Sequence, residues 1–145
     1  MNLINTKSTL CATVGSFFGM IATFFGGWSS DMATLLIFMA IDFAMGLVVA
    51  GVFKKSEKSS TGALDSHAGW MGLCKKCATL LFVLVAHRLD VSLGVNYIRT
   101  ASIIAFIANE AISILENAGL MGLPLPEIIK KAVEVLRNKT KTETH

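Results

Sequence analysis

Charge is what this chain has least of. Only 16% of its 145 residues are Asp, Glu, Lys or Arg, where a soluble domain carries about 25%. Two prolines and no polar repeat exclude a disordered or collagen-like chain. The three cysteines, Cys11, Cys74 and Cys77, are odd in number and sit in mostly apolar surroundings, which does not describe a disulfide framework. Cys74 and Cys77 form a C-K-K-C with no second cysteine pair and no histidine at zinc-finger spacing, so they read as two thiols near the start of a helix. His67, His87 and His145 are scattered and offer no i, i+4 metal pair. No nucleotide-binding loop and no supported Ser–His–Asp arrangement is present, so neither a metal, a cofactor nor an enzymatic reaction is expected. A net charge of +3 is too mild to argue for nucleic acid as a partner.

Apolar residues are what the chain has in excess: 53% of the total, with a mean hydropathy of +0.62. They gather into runs long enough to cross a bilayer, which takes about 20 residues of helix. The expected fold class is all-α, an integral membrane protein with four transmembrane helices and a C-terminal amphipathic helix. The spans fall at about 8–30, 32–53, 73–95 and 100–123, with a loop over 54–72. The first run, Ser8–Ser30, exceeds the apolar core of a signal peptide, about 7–15 residues, and reads as a retained span. Ser29-Ser30-Asp31 makes a tight polar turn after it. The loop is rich in Ser, Gly and charge, with Lys75 and Lys76 closing it.

The third span is the least clear, because His87, Arg88 and Asp90 interrupt it. It either ends near Ala86 or carries polar groups deep into the membrane. Pro124 and Pro126 stop the fourth span, and residues 124–145 form a basic tail. Its helix, from about Pro126 to Asn138, places Ile128, Ile129, Ala132, Val133 and Leu136 on one face. That face suits either the membrane surface or packing on neighbouring helices.

With four spans, the N-terminus, the 54–72 loop and the C-terminus share one side. Eleven basic residues then lie on that side, and only Arg88 and Arg99 lie elsewhere. Such an excess marks the cytoplasmic side, so both termini are expected there.

Asp42 and Glu110 are carboxylates inside apolar runs, where ionisable groups usually face a protein interior or water. Arg88 lies twelve residues beyond Lys76, about 18 Å along a helix. That depth predicts an approach to Asp42, within one subunit or across an interface, with Glu110 as competing partner. Gly15 and Gly19 form a G-x-x-x-G, and Asp42, Gly46 and Ala50 recur every fourth residue. Both patterns suit close helix contact, between copies or within one chain, and the second also suits a narrow wet path. Trp28 fits an interfacial anchor.

Several of these residues belong to a larger pattern. Asn109-Glu110-x-x-Ser113-x-x-Glu116-Asn117, followed by Gly122-x-Pro124-x-Pro126 and a basic helix, resembles the C-terminal signature of the phage-lysis and toxin-secretion holin family. Asp42, Gly46 and Ala50 ahead of basic residues are similar to that family's second-helix pattern, and Ala86-His87-Arg88-Leu89-Asp90 is similar to its A-H-x-x-D segment. The resemblance runs from about Asp42 to Arg137. It implies a small phage-coded protein of the bacterial (host) cytoplasmic membrane that oligomerises and opens lesions. A cell-wall hydrolase (an endolysin), or in some clostridia a large toxin, then passes. The partners implied are further copies of the chain, the lipid bilayer, an antiholin and the passing cargo. Two other readings compete: a small ion or proton transporter using the intramembrane carboxylates, and a non-conducting antiholin or scaffold.

Overall fold

The computed structural model describes residues 3–56, 65–129 and 131, and no strand occurs among them. Four α-helices follow one another: α1 Leu3–Phe24, α2 Ser30–Val48, α3 Ser66–Leu93 and α4 Ile98–Leu120. A π-helical stretch, Val49–Phe53, continues α2. Three of these segments are long and apolar enough to cross a membrane: Ser30–Phe53, Ser66–Leu93 and Ile98–Leu120. The first helix is not among them, so the expectation of four spans is met for three. Thr6, Lys7, Ser8 and Thr9 are polar residues in the early turns of α1.

Local chemistry sets the helix ends. Ser29 caps α2, its Oγ accepting from the Met32 N–H at 3.2 Å. Asp65 caps α3, accepting from the His67 N–H at 2.9 Å. The third helix therefore starts at Ser66, not near 73, and it runs through Arg88 to Leu93. Its 28 residues span about 42 Å. Lys75 and Lys76 lie inside this helix rather than at the edge of a loop. The fourth helix ends at Leu120; Gly122 beyond it is left-handed, the Leu123 N–H turns back to Ala118 O at 3.1 Å, and Pro124 and Pro126 follow. Only the first turn of the expected tail helix, with the Ile129 N–H bonded to Pro126 O at 2.9 Å, is described. Ala132, Val133, Leu136 and the rest of that amphipathic face, with His145, lie outside the described residues.

The helix α4 packs along both α2 and α3, whereas α2 and α3 touch each other sparingly. Met32, Leu35 and Met39 of α2, Val83 of α3 and Ile103 of α4 form the buried core. Phe82 and Phe106 meet edge to face, with ring centroids 6.3 Å apart. Outside this core large apolar side chains are exposed along every helix, among them Leu10, Phe17, Ile37, Leu81 and Ile104. Such an all-round apolar surface is what a helix facing lipid presents. The helix α1 has no substantial packing on the other three. A Cβ at Gly15 or Gly19 would meet nothing within 4 Å, so no described residue of the same chain covers that face.

Candidate functional site

The core fills one half of the three-helix unit. In the other half, α2 and α3 stand apart and leave a cleft of about 480 Å³ floored by α4. The residues lining it come from stripes at helical spacing. From α4 come Asn109, Glu110, Ser113, Glu116 and Asn117, at i, i+1, i+4, i+7 and i+8. From the second helix and its π-helical continuation come Asp42, Gly46, Val49 and Ala50. The wider π turn brings Val49 and Ala50 inward together, and both are buried. From α3 come Gly69, Gly72, Lys76 and Thr79.

A cluster of charges lies at the bottom of the cleft. The Lys76 ammonium donates to Asp42 Oδ2 at 2.9 Å and to Glu110 Oε2 at 2.6 Å. Asn117 Nδ2 donates to Asp42 Oδ1 at 2.9 Å and, at 3.5 Å, to the Asp42 carbonyl. The three charged side chains are nearly enclosed, 13% exposed for Lys76, 9% for Asp42 and 8% for Glu110. One lysine thus ties α3 to both α2 and α4. Ionised throughout, the trio carries one net negative charge in a low-dielectric setting, where such groups persist only if paired and hydrogen-bonded. Lys76 lies ten residues into α3, Glu110 ten residues before the end of α4, and Asp42 twelve residues before Lys54. Each is therefore about 15–18 Å along its helix from the cleft end, which is half the thickness of the hydrocarbon, about 30 Å.

Asp42 and Glu110 meet within the chain, but the cation between them is Lys76 and not the expected Arg88. Arg88 is exposed and forms no ion pair among the described residues. It is twelve residues past Lys76 on the same helix, so about 18 Å separates it from the cluster along the axis. Lys76 was hidden by being read as the end of a loop. Its signal was the run of small residues on its own face, Gly69, Gly72 and Thr79, the mark of a helix side that admits a neighbour.

His87 and Asp90 are not part of the cleft. They close the opposite end of the unit. Asp90 is buried, and its two carboxylate oxygens accept from the backbone N–H groups of Ile98 and Arg99, each at 2.9 Å. These are free donors at the start of α4, so Asp90 caps that helix from across a turn. Gly94 holds the left-handed conformation that the turn requires, with φ 67°, and lets the Val95 N–H return to Asp90 O at 3.0 Å. The Arg99 guanidinium donates to Gly27 O at 3.0 Å and reaches Ser29 Oγ at 3.4 Å, tying α4 to the turn between α1 and α2. His87 lies against Gly26 in the same turn. A Cβ at Gly26 would come within 2.6 Å of His87 Nδ1.

The residues of the three helical patterns are therefore divided by place. Asp42, Gly46, Ala50, Asn109, Glu110, Ser113, Glu116 and Asn117 line the cleft, with Asn109 and Glu116 exposed towards its opening. Asp90 closes the other end. Among the described residues no group of His, Cys, Asp and Glu could hold a metal ion, and all three cysteines are free and exposed.

The chain is 37% identical over 140 residues to an uncharacterised 14.9 kDa protein of Clostridium perfringens, covering 95% of this chain and 98% of that protein. It is 36% identical over 123 residues to an uncharacterised protein of Halalkalibacterium halodurans, covering 81% and 85%. A protein of Bacillus phage phi105 named as a probable holin is 32% identical over 112 residues, covering 75% of this chain and 77% of its own length. No solved structure matches. The bacteriophage holin family matches residues 19–138, a stretch that includes both the cleft and the closed end. Family and apolar helices together point to a multi-pass, non-enzymatic membrane protein, and the chain belongs to the bacteriophage holin family.

Proposed function

We propose that this chain is a lesion-forming holin of the bacterial cytoplasmic membrane. Copies accumulate in the bilayer, associate through their helices and open lesions that pass a cell-wall hydrolase or a toxin. The observation that carries this reading is the cleft. A charged cluster of Asp42, Lys76 and Glu110 sits beside an open cavity, in a unit whose outer faces are apolar. Three spans cannot enclose a protein-sized hole, so release of a folded enzyme requires many copies. In such an assembly the polar cleft supplies a face that tolerates water, while the apolar faces keep contact with lipid.

We place the cleft end on the cytoplasmic side. Lys54, Lys55 and Lys75 surround it, and Lys130, Lys131, Arg137, Lys139 and Lys141 follow α4, which fits the bias of basic residues. Both termini are then cytoplasmic if α1 also crosses the bilayer. The reading is tested by inducible expression in bacteria with and without a cytoplasmic muralytic enzyme. Abrupt loss of viability in both cultures, with lysis only when the enzyme is present, is the expected result. Paired carboxylates around an ammonium are also compatible with a small-cation transporter. That protein would leak ions selectively and never release the enzyme. An antiholin or scaffold would be harmless when expressed alone.

A further inference from the structure

The two ends of the three-helix unit are held by unequal means. At the turn end, α3 is fixed to α4 by the Asp90 bonds to Ile98 and Arg99, and α4 is fixed to the turn before α2 by Arg99. At the cleft end, α2 and α3 share little packing. At Gly72 only one atom, Phe43 Cε2, comes within 4 Å of where a Cβ would stand, at 4.0 Å, an ordinary van der Waals distance. The cavity occupies the place where side chains would otherwise interlock. What bridges the gap is the Lys76 side chain, through its bonds to Asp42 and Glu110.

We propose that this bridge is a latch and the Asp90 turn a hinge. Release of the Lys76 ammonium from Asp42 and Glu110 lets the cleft-end half of α3 swing away from α2, while Asp90 and Arg99 hold the far end together. The cleft then becomes a seam open along its length, lined by Asp42, Glu110, Asn117 and the small residues Gly46, Gly69 and Gly72. Closed, the carboxylates share the Lys76 ammonium within one chain and the unit is compatible with lipid. Open, they need water or a neighbouring copy, which turns a dispersed subunit into one that assembles. The proposal rests on the lesion-forming reading and describes the step that precedes it.

The test locks the seam. In a background carrying Cys11→Ser, Cys74→Ser and Cys77→Ser, the pair Phe43→Cys and Gly72→Cys places one thiol on each side of it. A short bifunctional methanethiosulfonate then joins the two in expressing cells, and release of a folded cytosolic enzyme is followed before and after dithiothreitol. Expected are release from the unlocked protein, loss of release on locking, and its return on reduction, with each single-cysteine variant indifferent to the reagent. Release from the locked protein equal to that from the unlocked one would overturn the latch alone. Loss that reduction does not reverse would also count against it, since the lock must be the cause. An unlocked protein that releases nothing would remove the lesion reading, and the latch with it.

Discussion

The turn end and the cleft end solve the same problem, holding three helices together in an apolar setting, with different chemistry. At the turn end a single carboxylate, Asp90, is spent on backbone N–H groups that would otherwise lack partners, and the arrangement is compact. At the cleft end three charged side chains satisfy one another and leave a cavity beside them. A cap on backbone groups stays in place as long as the turn does. An ion pair between helices can exchange its partners for water or for another chain, so the second arrangement suits a part of the molecule that changes.

The largest expected effect sharpens this contrast at its charged side. Lys76→Met removes the cation and leaves two buried carboxylates facing each other. Loss of one member of a buried ionic group costs about 3–5 kcal/mol, which should appear as a large fall in thermal stability of the purified protein in detergent micelles. Adding Asp42→Asn to Lys76→Met should recover part of that loss, because it lowers the uncompensated charge. Additive damage instead would mean that the cluster does not act as a unit.

At the turn end, Gly26→Ala should cost about 1–3 kcal/mol, the range for a residue forced into a left-handed conformation, since Gly26 has φ 82° and His87 lies against it. Combining it with His87→Ala should relieve the steric part and leave the backbone part, as read by the same melts. Asp90→Ala should cost about 1–2 kcal/mol, the upper range for loss of a helix cap. Asp90→Asn should retain most of the stability, because its amide oxygen can still accept one of the two bonds. If Asp90→Ala proved as damaging as Lys76→Met, the difference between the two ends would be lost. The smallest effect is expected at Gly15→Leu with Gly19→Leu. That face packs on nothing described within the chain, so single-chain stability should change by no more than about 0.5 kcal/mol. Chemical crosslinking should nevertheless give weaker oligomer ladders, because bulky groups keep helix backbones apart.

Much of the cleft's lining was legible before any coordinates. Asp42, Gly46 and Ala50 recur every fourth residue, and Asn109, Glu110, Ser113, Glu116 and Asn117 belong to the signature the chain resembles, so the residues of two walls stood out in the sequence, though not the cleft they form. The helix order and the continuation of the second helix to Phe53 were also readable. The third wall was not. A pair of lysines beside a Ser- and Gly-rich stretch looks like the end of a loop, and only a tertiary partner makes one of them an interior residue. The same bias moved the start of α3 and lent Arg88 a depth it does not have. Asp90 and His87 were grouped with the intramembrane polar residues because a cap that works across a turn has no local spacing to betray it. The first helix looked like a span by length, yet it is not among the three segments long and apolar enough to cross a membrane.

The claim on which the account turns is that the cleft opens towards the cytoplasm while the Asp90 end is sealed. Ser113 lines the cleft and is only half-buried, so Ser113→Cys in the cysteine-free background reports on it directly. In sealed membrane vesicles of both orientations, a membrane-impermeant maleimide should label this thiol in inverted vesicles and leave it untouched in right-side-out ones. Labelling in right-side-out vesicles, or in neither, would contradict the account.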